Sequence, residues 1–206
     1  MSERPPAHRP GFDPLTAAAT LPLLRAPFYY LRHGETTSNR DALIAGSLDV
    51  ELTDTGRRQA QEAGRLLAMV AVGAIVASSR RRALDTAALV ARMLGRAGER
   101  PLAITALDER HWGSLEGQPR AVRRYDALPA DVEPGDAFAR RVCAGLARVP
   151  VGSSPHPPLI VAHAGTWRVL CRLLGLEAAA EPIANALPVR VTPVAGAWRV
   201  ERLGAD

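Results

Sequence analysis

Lysine is absent from this chain. All 26 basic residues are arginine, and with 21 acidic residues they leave a formal net charge of +5. Aromatic residues are also scarce, at 4%. The arginines are scattered with no aromatic side chains interleaved, so the stacking platform of a single-strand nucleic-acid binder is missing. A basic balance of this kind fits a solvated arginine-rich surface or an anionic small substrate, with no nucleic acid implied. Only two cysteines occur, Cys143 and Cys171, each among small apolar residues in a helical pattern. That excludes a disulfide framework and a cysteine zinc site, and both read as buried, reduced thiols. No cluster of metal ligands at fixed spacing is present, so no metal and no cofactor are implied. No apolar run approaches the roughly 18 to 20 residues that span a bilayer. Met1 to Pro14 is rich in proline and arginine and has no apolar signal-peptide core, so a cytoplasmic location without membrane contact is expected.

What is present suits one domain. The chain has 206 residues, 47% of them hydrophobic. Residues 1–26 read as a flexible N-terminal tail or arm, with an ambiguous stretch from Leu15 to Ala26, and the ordered core is expected from Pro27 to the end. From there strands and helices alternate. Strands are expected at 28–31, 74–77, 102–105, 159–162, 189–191 and 198–200. Helices are expected at 53–70 (capped by Asp54), 81–94, 136–149 and 166–174, with Gly95 and Gly175 as stops. This alternation predicts an α/β fold, a three-layer sandwich whose mostly parallel central sheet is flanked by helices. The stretch from Gly113 to Pro134 is broken by Pro119, Pro129 and Pro134 and is expected to be a loop with a short helix near 120–127, of the kind that forms lids.

In such sheets ligands bind beyond the carboxyl ends of the strands. Three of the expected strands end in residues suited to phosphate. The first ends in Arg32-His33-Gly34. Arginine offers a planar fork to phosphate oxygens, histidine is a neutral nucleophile near pH 7, and glycine leaves room for an incoming phosphoryl group. The second ends in Ser78-Ser79, followed by Arg80-Arg81-Arg82 at a helix start. The third ends in His163-Ala164-Gly165-Thr166, again opening a helix, whose N-terminus offers free N–H groups to an anion. Which of the three consecutive arginines faces the crevice is not decided by their types.

The pattern resembles the histidine phosphatase superfamily, the group that includes cofactor-dependent phosphoglycerate mutases. The resemblance covers Phe28 to about Val200. Its most specific part is Leu31-Arg32-His33-Gly34-Glu35-Thr36 with Asn39. It extends through 46–56, the 78–87 stretch ending Arg82-Ala83-Leu84-Asp85-Thr86-Ala87, the acid-bearing loop Leu107-Asp108-Glu109-Arg110-His111-Trp112-Gly113 with Leu115-Glu116-Gly117, and Val161-Ala162-His163-Ala164-Gly165-Thr166. Relatives more often have glycine where this chain has Ala164. The resemblance implies that His33 is the nucleophile that becomes phosphorylated. It implies that Arg32, Arg82 and a protonated His163 hold the phosphoryl oxygens, with Asn39, Ala164 and Gly165 beside them. Glu109, preferred over Asp108 and Glu116 by alignment, is then the general acid and later the base. Phosphoryl transfer rests on positioning and charge stabilisation, which these residue types supply.

Other residues carry plainer readings. Trp112 is expected under the loop with His111 exposed, although both could touch substrate. Thr36 and Asn39 could contact phosphate or cap a local turn, Asn185 is read as structural, and His8 and His156 as incidental. The leading functional expectation is a phosphomonoesterase acting on a small phosphorylated metabolite. A phosphoglycerate mutase is the alternative, favoured by Glu109 to Gly113 and by an Arg123-Arg124 pair suited to a second anion, but disfavoured by the short span from Gly117 to His163. A non-catalytic phosphoprotein-binding module on the same fold is the third. A homodimer is common among relatives and is left open by the residues.

Overall fold

The computed structural model describes residues 11–176 and 183–204. A six-stranded sheet forms the middle layer, in the order β3-β2-β4-β1-β5-β6. Its strands are β1 (Phe28–Arg32), β2 (Ile75–Ala77), β3 (Leu102–Ala103), β4 (Leu159–Ala162), β5 (Val189–Val194) and β6 (Ala197–Arg202). The pairs β3-β2, β2-β4 and β4-β1 are parallel, and β5 runs antiparallel to both β1 and β6. Strands β2 and β4 are buried along their whole length, which is why they read as unbroken apolar runs rather than as alternation.

Helices cover both faces. On one side α3 (Asp54–Ala68) and α4 (Arg81–Met93) pack through Ala63, Leu67, Ala83, Ala87 and Val90 onto Tyr29, Leu31 and Val161. Small residues set their separation: Gly64 lies against Met93 and Val90. On the other side α5 (Gly135–Leu146) and α6 (Ala164–Leu173) pack Phe138, Val142, Trp167 and Leu170 onto Phe28, Tyr30 and Ile160. A one-turn helix α2 (Thr37–Arg40) follows β1, closed by a capping box in which Thr36 and Asn39 exchange bonds. The three-layer, mostly parallel architecture is as expected.

Several boundaries differ. The ordered core begins well before Pro27. Helix α1 (Pro14–Ala19) is capped by Asp13 and lies on α6, while Leu21 and Leu23 are buried in the same cluster as Phe28 and Trp167. Leu21 and Leu23 contribute apolar area to the layer above the sheet, so 15–26 lies on the core as an arm; residues 1–10 of the expected tail lie outside the described residues. The cap of α3 is Thr53, whose side chain accepts from the Gly56 N–H, and Asp54 sits inside the first turn, where its charge suits the helix dipole. Strand β3 stops at Ala103 because Thr105–Leu107 turns as a 3-10 segment into the acid loop. The expected helix over 120–127 is only a 3-10 turn, Arg120–Val122, whose start is tied to 42–43 by the Arg120 N–H bond to Ala42 O and the Leu43–Pro119 bridge.

Candidate functional site

The parallel register sets Arg32 opposite Ala162, so the next residues, His33 and His163, emerge side by side at the carboxyl end of the sheet. Their rings stand edge to face with centroids 5.2 Å apart. A cavity of about 480 Å³ opens there, lined among others by Arg32, His33, Asn39, Arg82, Glu109, Ala164 and Gly165. His163 lies beneath this lining, fully buried.

His33 is held in one tautomer. Its Nδ1 lies 2.8 Å from the carbonyl oxygen of Gly34, which can only accept, so Nδ1 carries the proton and Nε2 the lone pair. Burial lowers its pKa well below the ordinary imidazole value, and the Arg82 and Arg32 charges lower it further. His163 is also held well below that value, by burial first and then by Arg82. These shifts favour the neutral imidazole at His163.

The three consecutive arginines separate cleanly. Arg82 is 1% exposed, lines the cavity and donates to Leu48 O and Gly46 O, each at 2.8 Å. Arg81 stays on the surface with Glu51 and Asp85. Arg80 pairs with the buried Asp108 at 3.0 Å and donates to Ser47 O. Arg32 donates to Ile183 O, and its Nε is buried without a partner. Burial lowers the pKa of both Arg32 and Arg82, yet guanidinium groups stay cationic at any working pH.

Glu109 reaches across from the acid loop. Its Oε2 accepts from the Gly165 N–H at 3.1 Å and its Oε1 from the Arg110 N–H. A Cβ on Gly165 would overlap that carboxylate, so a larger residue here would displace it. Arg141 on α5 staples the loop, donating to Asp108 O and Glu109 O and forking onto Glu133. Glu116 plays a different part: it accepts from the N–H groups of Ser47 and Trp112 and so ties two loops together.

Gly34 is explained differently from the sequence reading. A side chain there would meet the Gly56 backbone, and one on Gly56 would meet Glu35, so the pair lets the chain just after β1 run close against the start of α3. Thr36 and Asn39 cap α2, but Asn39 also lines the cavity, with its side-chain oxygen bonded to Thr36 and Asn185. Asn185 bonds both His33 O and Asn39 Oδ1, a role in the site that no local sequence signal revealed. Trp112 packs under the loop at 6% exposure and His111 is exposed.

The cavity mouth is cationic and aromatic. Arg110 and Arg123 lie over the Trp112 ring at 4.7 and 5.2 Å, and Tyr125 meets its edge. Arg120 is half-buried, its pKa lowered by burial and then by Arg123. Arg124 points away and pairs with Asp126, so the expected Arg123-Arg124 pair is replaced by Arg120 and Arg123. Among the described residues seven arginines line the cavity against two carboxylates, Glu109 and Asp136. No group of three His, Cys, Asp or Glu side chains among the described residues could hold a metal ion, and no helix there is long and apolar enough to cross a membrane.

Known proteins share both pattern and shape. The chain is 32% identical over 161 residues to phosphoglycerate mutase-like protein 4 of Arabidopsis thaliana, covering 70% of this chain and 69% of that one. It is 33% identical over 146 residues to an uncharacterized phosphatase, PhoE, of Bacillus subtilis, covering 68% and 72%. Agropine synthesis reductase of Rhizobium rhizogenes matches at 29% over 194 residues, 89% of this chain but 43% of that protein, so the chain spans less than half of that relative. In structure it resembles a mycobacterial glucosyl-3-phosphoglycerate phosphatase, with a TM-score of 0.73, 29% identity and coverage of 88% and 100%. It also resembles a putative alpha-ribazole-5'-P phosphatase of Escherichia coli, with a TM-score of 0.72, 26% identity and coverage of 87% and 96%. The model of the histidine phosphatase superfamily (branch 1) matches residues 28–206, and the chain belongs to that superfamily.

Proposed function

We propose that this protein is a phosphomonoesterase that hydrolyses a small phosphorylated metabolite through a phosphohistidine intermediate on His33. The observation that carries this reading is the fixed tautomer of His33, with Nε2 left unprotonated in a cavity that also holds Arg32, Arg82 and Glu109. In the first step Nε2 attacks phosphorus, the ester P–O bond breaks, and Glu109 gives its proton to the leaving oxygen. In the second step Glu109 takes a proton from water, the resulting hydroxide attacks phosphorus, and the P–N bond breaks to release inorganic phosphate. Arg32 and Arg82 carry the charge on the transferring group throughout. The lowered pKa of His33 supports activity in mildly acidic solution, because the imidazole stays neutral below its ordinary value.

Arg120 and Arg123 at the mouth support a substrate with a second anionic group, one that the inner arginines do not meet. The same pair favours a second reading, phosphoglycerate mutase-type transfer back to bound product. Two assays decide. A chromogenic phosphomonoester is offered at mildly acidic pH to wild type and His33→Ala; loss of at least about 10⁴-fold is expected, and equal rates would remove the nucleophile assignment. Then 3-phosphoglycerate is offered with a trace of the bisphosphate; phosphate release is expected to outrun conversion to the 2-isomer, and the reverse would establish the mutase.

A further inference from the structure

Beneath the cavity a chain of buried side chains runs from His163 through Ser78 to Asp108. His163 Nε2 lies 2.7 Å from Ser78 Oγ, and Ser78 Oγ lies 2.7 Å from Asp108 Oδ1. Asp108 is 1% exposed and paired with Arg80, while His163 and Ser78 are fully buried. Ser79 adds donors to the same carboxylate from its N–H and its hydroxyl. The carboxylate of this ion pair can only accept, and a serine hydroxyl has one hydrogen. Ser78 therefore donates to Asp108 and must accept from His163. It follows that His163 carries its proton on Nε2 and leaves a lone pair on Nδ1, an atom that is buried and without a hydrogen-bond partner.

We propose that Asp108, acting through Ser78, sets the tautomer of His163 so that its Nδ1 takes up a proton from solvent when a phosphoryl group binds. Resting on the phosphatase reading, this makes Asp108 and Ser78 positioning residues. A neutral His163 of this tautomer has no second N–H to offer a phosphoryl oxygen. A bound phosphate dianion favours the imidazolium, and the Asp108 charge, relayed through the hydroxyl, offsets the cost of a buried cation. The charged and titratable neighbours are Arg32, His33 and the Tyr30 hydroxyl from β1, Arg80 and Arg82 from the start of α4, and Asp108 with Glu109 from the acid loop. The arginines oppose protonation, and incoming phosphate offsets them. The proton thus arrives with the ligand.

The test is nitrogen-15 NMR of histidine-labelled full chain, with the His163 signals assigned by their loss in His163→Asn. Inorganic phosphate is the probe. In wild type without phosphate, a protonated Nε2 and a bare Nδ1 are expected, with both protonated when phosphate is added at neutral pH. In Asp108→Asn the amide donates to Ser78, the hydroxyl turns toward His163, and the opposite tautomer with Nδ1–H is expected. This variant keeps an Nδ1–H donor but not the imidazolium charge, so a loss of about tenfold in kcat/KM is expected, with the acid limb of its pH profile moved. Ser78→Ala cuts the relay while keeping the Asp108–Arg80 pair. There the tautomers mix and phosphate no longer protonates His163, which covers the case in which Asp108→Asn fails to fold. A bare Nε2 in the free wild type, or a folded variant with the wild-type tautomer and wild-type response to phosphate, would overturn the proposal. The free-state tautomer is read without turnover, so failure of the phosphatase reading in the chromogenic assay is recognised separately.

Discussion

The inner end and the mouth of the cavity are built on opposite terms. At the inner end Arg82 is sealed from solvent and forked onto two carbonyls, both histidines are locked by hydrogen bonds, and Glu109 is held by two backbone N–H groups. At the mouth Tyr125 is 60% exposed, Arg120 Nε donates to Leu43 O at 3.1 Å, and Arg123 Nε reaches Arg120 O only at 3.4 Å. Positional error is expensive where charge develops on a transferring phosphoryl group, and cheap where a substrate's far end is only recognised. The first region is therefore rigid and over-determined, and the second is adaptable.

Breaking the inner end should cost most. Arg82→Lys replaces a fork by a single point charge and leaves Gly46 O or Leu48 O without its donor. A fall of about 10² to 10³ in kcat/KM is expected, with a stability loss of about 1–3 kcal/mol in denaturant unfolding. Next comes Gly165→Ala, whose Cβ displaces the Glu109 carboxylate. Steady-state kinetics should show about a 10²-fold drop with alkyl phosphomonoesters, which need a protonated leaving group, and a much smaller drop with a nitrophenyl ester, which does not. Equal losses on both would mean that Glu109 is not the acid.

The mouth should respond differently. Arg120→Ala and Arg123→Ala are expected to raise KM by about tenfold for substrates with a second anionic group and to leave kcat within about twofold. A kcat loss comparable to that of Arg82→Lys would erase the distinction between the two regions.

The smallest effect is on stability with pH, and it too belongs to the inner end. His33 and His163 have lowered pKa values in the fold, so below about pH 6.5 the unfolded chain binds protons that the native one does not. Stability should fall as pH drops from there toward the lowered values, by up to about 1.4 kcal/mol per pH unit for each histidine. Replacing His33 by alanine should remove its share of the slope in pH-dependent thermal melts.

The reach of sequence reasoning followed the distance over which each signal acts. Strands β1, β2 and β4 were legible because buried parallel strands are short apolar runs. The Arg32-His33-Gly34 and His163-Ala164-Gly165 strand ends were legible because a strand–turn–helix junction is local. The role of residues 11–26 was not, because burial of Leu21 and Leu23 depends on a layer built by α5 and α6 much later in the chain. The segment near 120–127 was likewise set by a distant loop, since its start is tied to residues 42 and 43.

Local chemistry thus determined the α/β class and the two histidine-bearing strand ends from the residues themselves. Tertiary structure decided the rest. It chose Arg82 among three neighbours, because only Arg82 lines the cavity while Arg80 turns to Asp108 and Arg81 to Glu51 and Asp85. It gave Gly34 a packing reason in place of a catalytic one, since the contact is with Gly56 on α3. It also brought Asp108 and Ser78 behind His163. Hydrogen-bond polarity passes through space between elements distant in sequence, and no periodicity along the chain encodes it.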